Sequence, residues 1–199
     1  YTTGESRALF FDDFQDQTPI PTREGWTVHG TGAHGASGTL SLDSSIKMTA
    51  GQKTWTDYLL EGCVMLRSEE GGNAGFIFRV NEPGPGYDEM RGYYVGLNTE
   101  RLYLGKMENN WQPLAEFDIS QLDCEVNPNV WNQIRIAVQG PRIRVWLNRM
   151  HPSSDPDQGL RIDYTDENNP ILTGAIGVRT HHLSAIFDNI VVLPVDLLP

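Results

Sequence analysis

Alternation is the feature that most restricts what this chain can fold into. Ile134-Arg135-Ile136-Ala137-Val138 and Ile143-Arg144-Val145-Trp146-Leu147 both put apolar side chains at every second position, with arginine between them. A two-residue period belongs to a half-buried β-strand, because successive side chains point to opposite faces. Gly140-Pro141 separates the two runs and supplies the tight turn of an antiparallel hairpin. The same pattern, broken by Gly, Pro, Asn and Asp, predicts strands over 8–14, 26–29, 39–42, 46–49, 58–67, 74–80, 92–97, 101–106, 112–118, 131–138, 142–148, 160–164, 175–180 and 186–193. No segment carries a capped stripe of period 3.6, so helix is limited to a turn or two near 119–122, after Asp118.

Many short strands with frequent turns predict an all-β fold, an antiparallel two-sheet sandwich of jelly-roll type with its first and last strands paired. No fixed-period repeat and no low-complexity linker divides the chain, so residues 1–199 read as one domain. Trp26, Trp55, Trp131 and Trp146 read as core or sheet packing, and Trp111 as a residue flanking a loop. The loops richest in turn residues are 30–38, 81–86 and 151–159.

Charge narrows the partners. With 26 acids against 15 bases the chain carries −11, which repels phosphates and argues against nucleic acid. No apolar run approaches the ~20 residues that span a bilayer, so no membrane role is expected. The chain is expected to be monomeric. Cys63 and Cys124 fit no zinc spacing; they form either one disulfide or two buried thiols.

Three groupings carry chemistry. Phe11-Asp12-Asp13-Phe14-Gln15-Asp16 opens the fold and Phe187-Asp188-Asn189-Ile190 closes it. If the terminal strands pair, these carboxylates converge, and hard oxygen donors at close quarters suit a structural calcium ion. Secondly, Arg79, Asn81, Glu82, Tyr87, Asp88, Arg91 and Tyr94 surround one Gly/Pro loop. Aromatic faces cover the apolar side of a sugar while arginine and carboxylate bind its hydroxyls, so this mixture suits glycan recognition. Arg179 and His181 form its second edge; His182, next along a strand, is expected on the opposite face. The loop 30–38 with His29 and His34 is the other location for such a site. Glu82, Asp88 and Glu89 are the only acids clustered with aromatics and arginine, and would supply the catalytic pair of a hydrolase or lyase. No Gly-x-Ser-x-Gly elbow, His-Glu-x-x-His or phosphate loop is present.

Phe10-Phe11-Asp12-Asp13-Phe14, Trp26, Trp55-Thr56-Asp57-Tyr58, Gly75-Phe76-Ile77-Phe78-Arg79, Gly92-Tyr93-Tyr94-Val95-Gly96-Leu97, Trp131, Gly174-Ala175-Ile176-Gly177-Val178-Arg179-Thr180 and Ala185-Ile186-Phe187-Asp188-Asn189-Ile190 follow one another in an order that spans nearly the whole chain. This order resembles the concanavalin A-like lectin/glucanase superfamily. Within it, the chain is similar to family 66 carbohydrate-binding modules and 3-keto-disaccharide hydrolase-like domains. The stretch from Gly177 to Ile190 also resembles the end of the galactocerebrosidase lectin domain. The resemblance implies a calcium ion on Asp13, Asp16 and Asp188, with Asp57 or a nearby carbonyl as a further ligand. It further implies a secreted module that binds polysaccharide or oligosaccharide chain ends, appended to or working beside polysaccharide-degrading enzymes. The alternative is a glycoside hydrolase or polysaccharide lyase on the same sandwich.

Overall fold

A computed structural model describes residues 8–16, 18–69, 71–122, 125–148, 155 and 157–195. Their strands are β1 (Phe10–Asp12), β2 (Trp26–His29), β3 (Ala33–Ala36), β4 (Thr39–Leu42), β5 (Lys47–Ala50), β6 (Tyr58–Leu66), β7 (Asn73–Asn81), β8 (Arg91–Leu97), β9 (Arg101–Glu108), β10 (Trp111–Asp118), β11 (Trp131–Gln139), β12 (Arg142–Leu147), β13 (Leu160–Thr165), β14 (Ala175–His181) and β15 (Ala185–Pro194). The first sheet has the order β13-β12-β11-β6-β15-β4-β3, with β1 added against β15. The second has the order β10-β9-β8-β7-β14-β5-β2. The pairings are antiparallel, as hairpin-rich alternating sequence requires. The expected helical turn is a single 3-10 turn, Ile119–Gln121, capped by the Asp118 side chain on the amide of Ser120.

The sheets meet through the inward members of the alternating runs. Leu60, Val64, Ile134, Ile136 and Phe187 of the first sheet face Phe76, Phe78, Val95, Leu104 and Val178 of the second. Phe76 and Phe187 touch edge to face across the gap, with centroids 5.8 Å apart. Each such side chain contributes about 1.5–3 kcal/mol on burial.

Buried polar groups fix how the layers dock. Asp12 of β1 receives Nε of Arg23 at 2.6 Å and the Trp26 indole at 2.8 Å, joining the terminal strand of one sheet to the edge strand of the other. Asp166 accepts the Tyr93 hydroxyl at 2.6 Å and the Lys106 ammonium at 2.9 Å, and Lys106 also donates to the carbonyls of Asn168 and Asn169.

The third such group is Arg79, which is fully buried. Strict alternation would turn Arg79 outward beside Ile77. Instead the β7–β8 register slips between Phe78 and Asn81, and Arg79 takes a left-handed φ of 50°. A bulge of this kind inverts the facing of the residues beyond it. The guanidinium therefore points inward. It donates to the carbonyls of Thr56, Gly140 (2.6 Å) and Ile171 (3.0 Å) and to Asp57 (3.2 Å). Beyond the bulge, Val80 joins a satellite cluster with Ile77, Met90, Tyr94 and Met107 on the outer face of the second sheet.

Arg79→Met should therefore destabilise the fold by roughly 3 kcal/mol or more, since it leaves several buried carbonyls without a donor. Urea denaturation of the two proteins measures this; a loss under about 1 kcal/mol would show that Arg79 does not hold the sheets together.

Candidate functional site

The outer face of the second sheet can be read in rows from its register. One row runs Thr27, Thr49, Gly177, Ile77, Tyr94, Gly105 across β2, β5, β14, β7, β8 and β9. The next runs His29, Lys47, Arg179, Gly75, Gly96, Tyr103. A third begins with His181 and Asn73. Neighbouring strands are ~4.8 Å apart, so His29, Lys47 and Arg179 place three nitrogenous side chains side by side. A Cβ at Gly96 would fall within the Tyr94 ring, and one at Gly105 within the Trp111 ring. These glycines let the rings lie flat against the sheet, which is the use the structure makes of Trp111.

Residues 82–89, between β7 and β8, fold back over this face as a strap. Lys47 Nζ donates to the carbonyl of Gly84 at 2.7 Å and to that of Gly86. Arg179 Nε donates to the Tyr87 carbonyl at 3.1 Å, and its Nη2 pairs with Asp88. The Arg179 guanidinium also lies 4.5 Å from the Tyr94 ring centre. Glu89 closes the loop on itself through the amide of Gly86. Burial pushes the Lys47 ammonium down to about 8; Arg179 adds to this, while Glu89 and Asp88 oppose it.

The strap delivers Tyr87 to His181, with ring centroids 5.3 Å apart. His182 joins them, its ring 4.2 Å from that of His181. This corrects the expectation that His182 faces the other way. His182 has a left-handed φ of 56°, so the alternation ends at His181. Burial, with Arg179 and His182 nearby, lowers the His181 imidazole below its ordinary value.

The structure thus gathers Tyr87, Asp88, Tyr94, Arg179 and His181 from the expected glycan set, and divides the rest. Arg79 is corrected from contact residue to scaffold, because the bulge turns it into the interior. Tyr94 is buried and bonds Asn73 through its hydroxyl at 2.7 Å, so it supports Arg179 and is not presented to a ligand. Asn81 donates to the Thr173 carbonyl, and Arg91 pairs with Glu108 at 3.5 Å at the far end of the strap. Glu82 is exposed at a left-handed φ of 50°, where the strap leaves β7. Lys47 was missed, although alternation in 46–49 already puts Lys47 and Thr49 on one face. His29 and His34 lie on different sheets, and His34 pairs with Asp43 at 3.4 Å.

The four carboxylates expected on calcium do not form one set. Asp57 is held by Arg79 and the amide of Gly140, about 20 Å from Asp188 along the strand direction at ~3.3 Å per residue. Asp16 accepts the amide of Thr18 and is drawn to Arg23, which in that order hold its carboxyl low. Asp13 and Asp188 do share one place. The Asp188 carboxyl is raised by burial and then by Asp13 and Asp12. Among the described residues no group of three or more His, Cys, Asp or Glu is placed to hold a metal. Cys63 lies opposite Asp188 in the sheet and its thiol is pushed up to about 11, by burial first; the Cys63–Cys124 pairing lies outside the described residues, since Cys124 is not among them.

Lys47 gives the site a pH signature. The unfolded chain keeps this proton up to about 10, whereas the folded protein loses it near 8. Between those values the unfolded state binds more protons, so stability rises with pH, at about 1 kcal/mol per pH unit. Lys47→Met should lack that rise. Denaturant midpoints measured from pH 8 to 10 test this, and equal slopes in both proteins would show that Lys47 is not held as described.

Comparison with known proteins places the chain. The structure is similar to the carbohydrate-binding module CBM66 from Bacillus subtilis, at 17% identity, covering 86% of this chain and 97% of that one with a TM-score of 0.66. It is similar to a laminarinase from Flavobacterium sp. at 9% identity, covering 94% and 100% with a TM-score of 0.62. It also matches the GH43 protein BlXynB from Bacillus licheniformis at 11% identity, covering 92% of this chain and 39% of that one with a TM-score of 0.65. At these identities the likeness is one of fold, and it agrees with the concanavalin A-like sandwich. No curated protein sequence matches. The model of the 3-keto-alpha-glucoside-1,2-lyase-like domain matches residues 18–193, and the chain belongs to that family.

Proposed function

We propose that this protein is a carbohydrate-binding module that recognises glycan chain ends through the strap and its aromatic rim, and that it works in secreted form beside, or joined to, polysaccharide-degrading enzymes. One observation carries the reading. Tyr87, His181 and His182 meet as a partly exposed group of rings, next to an Asp88 carboxylate held in place by a buried Arg179. A ring face takes the C–H side of a sugar and a fixed carboxylate takes its hydroxyls. The family membership and the fold shared with CBM66 support a carbohydrate ligand. The match to only part of BlXynB supports a unit that can stand within a longer enzyme.

A second reading, as an enzyme, is favoured by the lyase-like family and by the laminarinase of similar extent. Against it, Asp88 is engaged by Arg179 and Glu89 by the Gly86 amide, whereas glycoside hydrolysis needs two carboxyls free to face the scissile bond. A polysaccharide panel separates the readings. The binding reading expects retention on one or more glycans at roughly micromolar to millimolar affinity, with Tyr87→Ala and Asp88→Asn each weakening it about tenfold or more and no product released. Reproducible sugar release, lost in Glu82→Gln, Asp88→Asn or Glu89→Gln, would establish the enzyme instead.

Calcium belongs to the same proposal in reduced form: Asp13 and Asp188 would contribute to one ion that pins β1 to β15. An ion that binds only the folded state stabilises it by about 2.7 kcal/mol at a hundredfold excess over Kd. Chelator should lower the melting temperature, and Asp188→Asn should remove the effect of added calcium. Melting that ignores both chelator and calcium would remove the ion from this account.

A further inference from the structure

On the other side of the strap from Tyr87 and His181, the outer face of the second sheet opens into a cleft of about 210 Å³. Its floor and one wall are polar: the hydroxyls of Thr27 and Thr49 and the imidazole of His29, whose Nε2 lies 2.9 Å from Thr49 Oγ1. The apolar part of the lining includes Val80 and Pro83, where β7 passes into the strap, together with Ala50 and Ala175. Lys53 stands exposed at the rim. Burial and the neighbouring Lys47 push the His29 imidazole below its ordinary value, so at neutral pH the wall presents an uncharged imidazole paired with the Thr49 hydroxyl, beside the hydroxyl of Thr27.

We propose that this cleft is a binding subsite for a single neutral monosaccharide unit, the terminal residue of a glycan whose next unit passes over the strap towards Tyr87. The assignment rests on the carbohydrate reading above and adds to it a place and a ligand class. A sugar ring is apolar on one face and hydroxyl-bearing at its rim, which is the division seen between the Val80–Pro83 wall and the Thr27–Thr49–His29 wall. The volume lies below the ~300–1,000 Å³ of sites for drug-sized ligands and suits one ring. Both walls are also fixed, and this favours a small rigid ligand. Thr49 and His29 sit on paired strands, and Pro83 is carried by a strap whose next turn is bonded to Lys47. Lys47, which ties the strap beside the cleft, and Arg179, which ties it at Tyr87 and Asp88, lie opposite each other on β5 and β14, so a ligand passing over the strap would meet both places.

The test is an amide-resolved NMR titration of the intact protein with glucose, galactose, mannose, xylose, arabinose, fructose and glucuronate, read alongside retention on polysaccharide gels. The proposal expects saturable shifts at Thr27–His29, Thr49–Lys53 and Val80 with at least one neutral sugar. It expects Thr27→Trp, which fills the cleft from an exposed edge-strand position, to weaken binding at least tenfold, about 1.4 kcal/mol, while leaving the fold's spectrum intact. Saturable shifts confined to Tyr87, His181 and His182, or unchanged retention of Thr27→Trp, would overturn the subsite and leave the carbohydrate reading standing. Preference for glucuronate through Lys53 would overturn the neutral class. Neither shifts nor retention with any sugar would end both readings together.

Discussion

A cation buried mainly among main-chain carbonyls organises this sandwich. Arg79 has no carboxylate wholly to itself; three main-chain carbonyls and one shared oxygen of Asp57 receive its planar set of donors. Burial lowers its affinity for the proton, yet a guanidinium stays charged, so those acceptors must remain where they are. They come from the entry to β6, the β11–β12 turn and the segment before β14, and these segments are thereby fixed relative to β7. The inversion of backbone that sends Arg79 inward also sends Val80 outward. The same bulge that joins the layers thus adds Val80 to the apolar cluster of the outer face.

The strap repeats this solution on the opposite face. Lys47 and Arg179 are almost fully buried in a strongly acidic protein, and both spend donors on loop carbonyls. Main-chain acceptors need no particular side chain, so the strap can carry Tyr87 and Asp88 without altering its anchors. Its glycines can be read in the same terms. Gly84 and Gly86 lie close against the Glu89 side chain, where a Cβ would collide. The loop is rigid because it is tied beneath and packed on itself.

Regular alternation was legible and its interruptions were not. The runs at 26–29 and 39–42 coincide with β2 and β4, and most other strands differ from expectation by a residue or two. Strand β3 was read as loop, because Ala33-His34-Gly35-Ala36 has neither β-branched residues nor an apolar period; only its pairing with β4 makes it a strand. Two left-handed residues account for the main errors of orientation. Arg79 and His182 break the alternation at backbone conformations that their side chains do not announce. Chemical density around 79–94 did anticipate a cluster, since Tyr87, Asp88, Arg179 and His181 come together. It did not indicate depth. Arg79 and Tyr94 are chemically suited to touch a ligand, yet both are buried, Arg79 on main-chain carbonyls and Tyr94 beneath Arg179.

The strand order has a consequence for how the chain acquires its fold. β15 lies inside the first sheet, between β6 and β4, and β14 lies inside the second, between β7 and β5. Both belong to the final stretch of the described chain. Until that stretch leaves the ribosome, β2–β5 and β6–β13 are two sets of hairpins with open inner edges and no shared partner. Closure of both sheets is thus a late event that depends on non-local pairing, which makes folding slow and leaves strand edges exposed meanwhile. A nascent chain stalled before Ala175 would lack the seam of each layer, and with it the strand that carries Arg179 and His181.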